Sequence, residues 1–101
     1  MTYPFILHER ANEEYIAAYE WYELKQKDLG KRFMTSIEKK LQQISVHPQY
    51  YGKRKGNYRN AKVENFPYMI IYEFFGRKQL IHIVAIYHNK RNPKNKYRRI
   101  K

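Results

Sequence analysis

A chain of 101 residues has room for one small domain with a modest core. It contains no cysteine, which excludes a disulfide scaffold, a thiolate metal centre and a cysteine nucleophile, and which suits a reducing cytoplasm. Its net charge of +12 lies wholly in the second half, where residues 51–101 set fourteen basic side chains against Glu64 and Glu73 alone, while residues 1–50 balance seven against seven.

Tyr3–Leu7 is short and apolar and reads as a first strand, with Pro4 placing it at a sheet edge or a strand start. From Ala11 the period changes. Ala11, Tyr15, Ala18 and Tyr22 share one face of a helix, and Glu13, Glu20 and Lys27 fall on the other. Glu9, Glu13 and Glu14 complement the positive end of its dipole, and Gly30 is the expected break after it. A second helix places Phe33, Ile37, Leu41 and Ile44 on one face and stops near His47, because Pro48 disfavours helical geometry in the residue before it. So short a connection makes the two helices an antiparallel hairpin.

Residues 49–57 read as a loop with two glycines and the basic run Lys53-Arg54-Lys55. Three strands follow: Tyr58–Glu64, Tyr68–Phe75 and Leu80–Tyr87, the last two joined by a turn at Gly76-Arg77-Lys78. Leu80–Tyr87 is apolar on both faces and belongs inside a sheet. The last residues, about 92–101, form a basic tail. The expected fold is α+β over the whole chain: an N-terminal strand, then a two-helix hairpin packed on one face of a small, mainly antiparallel twisted sheet. The opposite face is expected to be open, concave and basic.

The charge asymmetry points to a polyanionic partner, with a solvated surface as the plain alternative. No apolar run is long enough to span a membrane and Met1–Arg10 lacks the pattern of a signal peptide, so a cytoplasmic protein with no membrane partner is expected. No phosphate loop, zinc-protease, serine-hydrolase or calcium-loop motif occurs. The histidines His8, His47, His82 and His88 are scattered. His82 and His88 are the closest pair, and six strand residues put them roughly 20 Å apart, so neither a metal nor another cofactor is expected. With Glu64 and Glu73 the only carboxylates in the basic half, two-metal chemistry is disfavoured.

Metal-independent RNA cleavage stays open. A base takes the 2′-hydroxyl proton and cations stabilise the phosphoryl charge, with Arg59, Lys62, His88, Lys90, Arg91 and Tyr97 as candidates. Each has a plainer role. His88 suits a hydrogen-bonded strand end, Tyr97 packs on a sheet edge, and Lys53-Arg54-Lys55 or Arg98-Arg99 are solvated or touch phosphate without reading sequence. Trp21 lies off the helix stripe and suits an interface, with packing at the core edge as the alternative.

ERANEEYIAAYEWY, LGKRFMTSIEKKLQQISVHPQYYG, NFPYMIIYEF and IHIVAIYHNKRNP followed by Tyr97 occur in an order and spacing that resembles the RelE/ParE superfamily of toxins from bacterial type II toxin–antitoxin modules, closer to the ParE-like side. The resemblance runs nearly end to end and implies an acidic cognate antitoxin that masks the basic half; the first-helix aromatics Tyr19, Trp21 and Tyr22 are expected to contact it, with a dimer contact as the alternative. ParE-like members typically inhibit DNA gyrase, and here Arg59, Lys90, Arg91, Lys94, Lys96, Arg98 and Arg99 would meet such a target. RelE-like members cleave mRNA on the ribosome, and for that branch Lys62, His88, Arg91 and Tyr97 would be the catalytic set. Met69 stands where the ribonuclease branch carries an arginine, and Asn60 occupies one of its basic positions. An uncharged Met cannot stabilise phosphoryl charge, and loss of one such contact costs about 10²–10³ in rate. The resemblance therefore favours a ParE-like toxin that binds an essential protein over an mRNA endoribonuclease, with a non-catalytic nucleic-acid-binding domain as the third reading.

Overall fold

The computed structural model describes residues 2–90. Its elements follow the order β1 (Phe5–Leu7), α1 (Glu9–Lys25), α2 (Leu29–Val46), β2 (Lys53–Lys55), β3 (Tyr58–Lys62), β4 (Tyr68–Phe75) and β5 (Leu80–His88). They form one helical hairpin and one five-stranded sheet of order β1-β5-β4-β3-β2. β1 runs parallel to β5, and every other pair is antiparallel. The expected α+β architecture is present, with β5 and β4 inside the sheet as their double-sided apolar sequence requires.

The hairpin packs on one sheet face because both partners present apolar surface there. Ala11 and Ala18 of α1 join Phe33, Ile37, Leu41 and Ile44 of α2 against Ala61, Val63, Tyr68, Ile70, Tyr72, Ile81, Ile83 and Ile86. Each buried Ile or Phe contributes roughly 1.5–3 kcal/mol of hydrophobic stabilisation. Tyr22, Phe33, Phe66 and Tyr68 form an aromatic knot, with ring centres 5.2 Å apart for Tyr22–Phe33, 5.0 Å for Tyr22–Phe66 and 5.0 Å for Phe33–Tyr68. The Tyr72 hydroxyl donates to the Pro48 carbonyl at 2.6 Å and ties β4 to the segment leaving α2.

Three expectations are corrected. Gly30 does not end α1; it lies in the first turn of α2, and the break falls at residues 26–28, where Asp28 takes a left-handed φ of 67°. Gly30 is required by close approach: a Cβ there would lie 2.7 Å from the Tyr19 carbonyl oxygen and 2.8 Å from Glu23 Oε1. The segment 49–57 is not all loop, since Lys53–Lys55 adds a strand antiparallel to β3 through a turn at Gly56, whose φ is 57°. All three of its residues are exposed, so no apolar alternation marks it, and backbone pairing holds it. The third correction concerns the helix-free face, which is not basic at its centre. The strand register sets Lys62–Met69–Tyr87, Asn60–Ile71–Ala85 and Tyr58–Glu73–His82 side by side across β3, β4 and β5. Ile71, Val84, Ala85 and Tyr87 form a second buried cluster there, flanked by Tyr58 and Met69.

Candidate protein-binding surface

Sheet topology gathers some of the singled-out residues and separates others. β3 ends, β4 begins and β5 ends at the same edge of the molecule, so Lys62, Tyr68, His88 and Lys90 share that end. Lys62 is exposed beside Met69, which is half-buried in the apolar cluster. The His88 ring packs edge-on against Tyr68 with centres 5.3 Å apart, and its Nδ1 accepts the Lys90 backbone N–H at 3.1 Å. That bond occupies the Nδ1 lone pair and leaves the proton of a neutral ring on Nε2, a poor arrangement for a general base.

Arg59 is turned to other work. Its guanidinium donates to the Tyr51 carbonyl at 2.6 Å and the Gln49 carbonyl at 3.4 Å, which holds the segment after α2 against the sheet. Of the further sequence candidates, Arg91, Lys94, Lys96, Tyr97, Arg98 and Arg99 lie outside the described residues.

The α1 aromatics divide by their place on the helix. Tyr19 and Tyr22 are half-buried and pack on the main core. Trp21 is 54 % exposed and rims a cavity of about 440 Å³ shared with Ala17, Ala18, Tyr68, His88 and Lys90. The Lys25 ammonium stands 4.8 Å over the Trp21 ring centre, and Tyr22 braces the ring edge-on at 5.0 Å. Ile16 is 48 % exposed and Leu24 is 88 % exposed on the same helix, so α1 carries apolar side chains on its outer surface as well as its inner one.

α1 also meets the edge of β5. β1 pairs only with Ile81–Ile83. Further along, the Ile86 backbone N–H donates to Glu14 Oε1 at 2.9 Å, and Arg10 Nε lies 3.5 Å from Glu14 Oε2. A helix carboxylate thus caps an edge amide that no strand among the described residues pairs. Sequence inspection placed Glu14 only as a helix-start charge; nothing in a local pattern announces a partner 72 residues away.

Burial pushes Tyr15 up to about 12, with Glu38 adding to the effect, and burial holds Tyr72 well above the ordinary tyrosine value. Among the described residues no group of three or more His, Cys, Asp or Glu side chains converges to hold a metal ion, and no helix is long and apolar enough to cross a membrane.

The family model for the ParE toxin of the type II toxin–antitoxin system parDE matches residues 5–93. The chain belongs to the ParE toxin family. Its fold is that of solved toxin–antitoxin proteins. The chromosomal ParDE system from P. aeruginosa matches with a TM-score of 0.73 and 16 % identity, covering 86 % of this chain and 96 % of that one. The intact E. coli RelBE toxin–antitoxin complex matches with a TM-score of 0.67 and 18 % identity over 88 % of this chain and 99 % of that one. The isolated E. coli RelE toxin gives 0.65 and 17 % over 91 % and 89 %. Compared by sequence with curated proteins, the chain matches none. As a ParE-family toxin it shares the helical hairpin and sheet of both branches of the superfamily, so its mode of action is read from its own side chains.

Proposed function

We propose that this ParE-family chain arrests growth by binding an essential protein such as DNA gyrase, and that a cognate acidic antitoxin neutralises it in the cytoplasm. The observation that carries this reading is the helix-free sheet face. Where RNA cleavage needs converging cations, Met69 sits between Lys62 and Tyr87 in an apolar field with Ile71, Val84 and Ala85. An apolar centre with cations at its margin suits a protein partner better than a phosphate backbone. His88 supports the same reading, because its Nδ1 lone pair is already engaged.

The antitoxin is assigned to the outer side of α1, where Trp21 and its cavity offer an aromatic anchor beside His88 and Lys90. Lys90 and the tail residues Arg91, Lys94, Lys96, Arg98 and Arg99 supply charge that attracts an acidic antitoxin or a target.

Inducible expression of the wild type and of an Arg91→Ala/Tyr97→Phe double variant, with growth and ribosome-bound mRNA ends both measured, tests the reading. Growth arrest with intact mRNA and a DNA-damage response is expected. A-site cuts that vanish in the double variant would replace it with the endoribonuclease reading.

A further inference from the structure

The two outer strands of the sheet, β1 and β2, are finished differently. β2 is Lys53-Arg54-Lys55, its three side chains are exposed, and its register against β3 shifts between Lys53 and Lys55. Like charges and a bulge on an edge strand protect it from pairing with another copy. The part of β5 beyond β1 is protected by Glu14, which accepts the Ile86 N–H. β1 carries none of these devices. Its residues are Phe5, Ile6 and Leu7, with Phe5 39 % and Ile6 51 % exposed.

The backbone of β1 is used on one side only. The Ile81 N–H donates to the Pro4 carbonyl at 3.1 Å, and the His8 N–H donates to the Ile83 carbonyl at 2.8 Å. With Ile6 opposite His82, Pro4, Ile6 and His8 turn their polar backbone groups towards β5. Phe5 and Leu7 turn theirs outwards, where no strand among the described residues meets them. Tyr3, the next outward residue, is already engaged, because its N–H donates to the Ser45 carbonyl at 2.8 Å. The open edge therefore offers the amides and carbonyls of Phe5 and Leu7, centred on Ile6.

We propose that two copies of the chain join through β1, antiparallel about Ile6, so that the five strands of each continue into one sheet. That register sets Phe5 of each copy against Leu7 of the other, and each pair exchanges its N–H and C=O groups, so every open group of the edge is satisfied. A shift either way loses this. Centring on Phe5 needs the occupied Tyr3 amide, and centring on Leu7 needs Glu9, which lies in the first turn of α1. Ile6 meets its own counterpart across a non-hydrogen-bonded pair, where side chains approach most closely. A second copy fits this edge better than an acidic partner, because Tyr3–Leu7 bears no charge and residues 1–50 balance seven basic against seven acidic side chains. Two-fold pairing closes as a dimer and leaves the two protected β2 strands as the outer edges. Three residues a side make it weak, with a dissociation constant on the order of 10⁻⁴ M. The pairing is independent of the toxin reading.

Sedimentation equilibrium of the purified chain from about 10 µM to about 1 mM, with amide hydrogen exchange at both limits, tests the contact. The wild type is expected to pass from monomer to dimer, and the Phe5 and Leu7 amides to gain at least about tenfold protection while those of Lys53–Lys55 gain none. Ile6→Lys and Ile6→Glu alter a half-exposed side chain, and each sets like charges face to face, so each should weaken association at least about tenfold. Mixed in equal amounts, the two variants should associate again to within about tenfold of the wild type, because an ammonium then meets a carboxylate. The wild-type protection pattern decides the matter should a variant unfold. A monomer throughout, association unchanged in both variants, or a mixture as weak as its components would overturn the proposal. Protection that appears on α1 in place of β1 would overturn it as well.

Discussion

The hydroxyl of Tyr15 is buried without a hydrogen-bond partner among the described residues, whereas that of Tyr72 donates to the Pro48 carbonyl at 2.6 Å. Two tyrosines facing one core therefore respond oppositely to loss of the oxygen. Tyr15→Phe removes an unsatisfied polar atom and should leave urea stability unchanged or raise it by up to about 1 kcal/mol, while Tyr72→Phe orphans a carbonyl and should lower it by roughly 1–2 kcal/mol. Alkaline pH separates them further. Tyr15 titrates near 12 in the folded chain against 10.0 for an ordinary tyrosine, so the folded state binds its proton more tightly than the unfolded state. Its contribution is complete below pH 10 and is lost as pH rises from there towards 12. Tyr15→Phe should flatten, and not abolish, the alkaline fall in melting temperature, because Tyr72 is shifted in the same direction.

At the scale of elements, the helical hairpin depends on one carboxylate as much as on its apolar seam. Glu23 at the end of α1 accepts the Asp28 backbone N–H at 3.1 Å and the Gly30 N–H at 2.9 Å. It thereby caps α2, whose own N-cap residue, Asp28, makes no side-chain capping hydrogen bond and pairs with Lys31 at 3.5 Å instead. Glu23→Ala should cost about 1 kcal/mol in thermal or urea unfolding. It should also raise amide exchange at residues 28–31 before the sheet opens. The same junction shows why Gly30 misleads as a stop signal. Glycine at a helix end is usually a left-handed cap, but this one answers to the distance between two helices, which no local pattern encodes.

For the whole molecule, the outer side of α1 and the helix-free sheet face divide the two proposed protein contacts between opposite sides of the fold. Trp21→Ala should therefore weaken binding of the antitoxin by about 2–4 kcal/mol in calorimetry while leaving growth arrest intact. It should also leave unfolding nearly unchanged, since the ring is 54 % exposed. Equal loss of antitoxin binding and toxicity would mean that one surface serves both partners. The basic half governs encounter in either case, so association rates with an acidic partner should fall steeply with salt.

Much of this molecule was legible in one dimension. The Ala11/Tyr15/Ala18/Tyr22 and Phe33/Ile37/Leu41/Ile44 stripes are core faces, and β4 and β5 lie where their runs were read, because periodic burial is a local property of the chain. Motif order pointed to the family for the same reason. The edge strand Lys53–Lys55 escaped notice because its pairing is backbone-only, and the apolar centre of the open face because it depends on the register of three strands. Trp21 could be flagged by being off its stripe, and Tyr15 and Tyr22 by being on it. What each faces was decided only in three dimensions. The Trp21 cavity and the Glu14–Ile86 bond join residues far apart in sequence, and only the packing of the hairpin on the sheet brings them together.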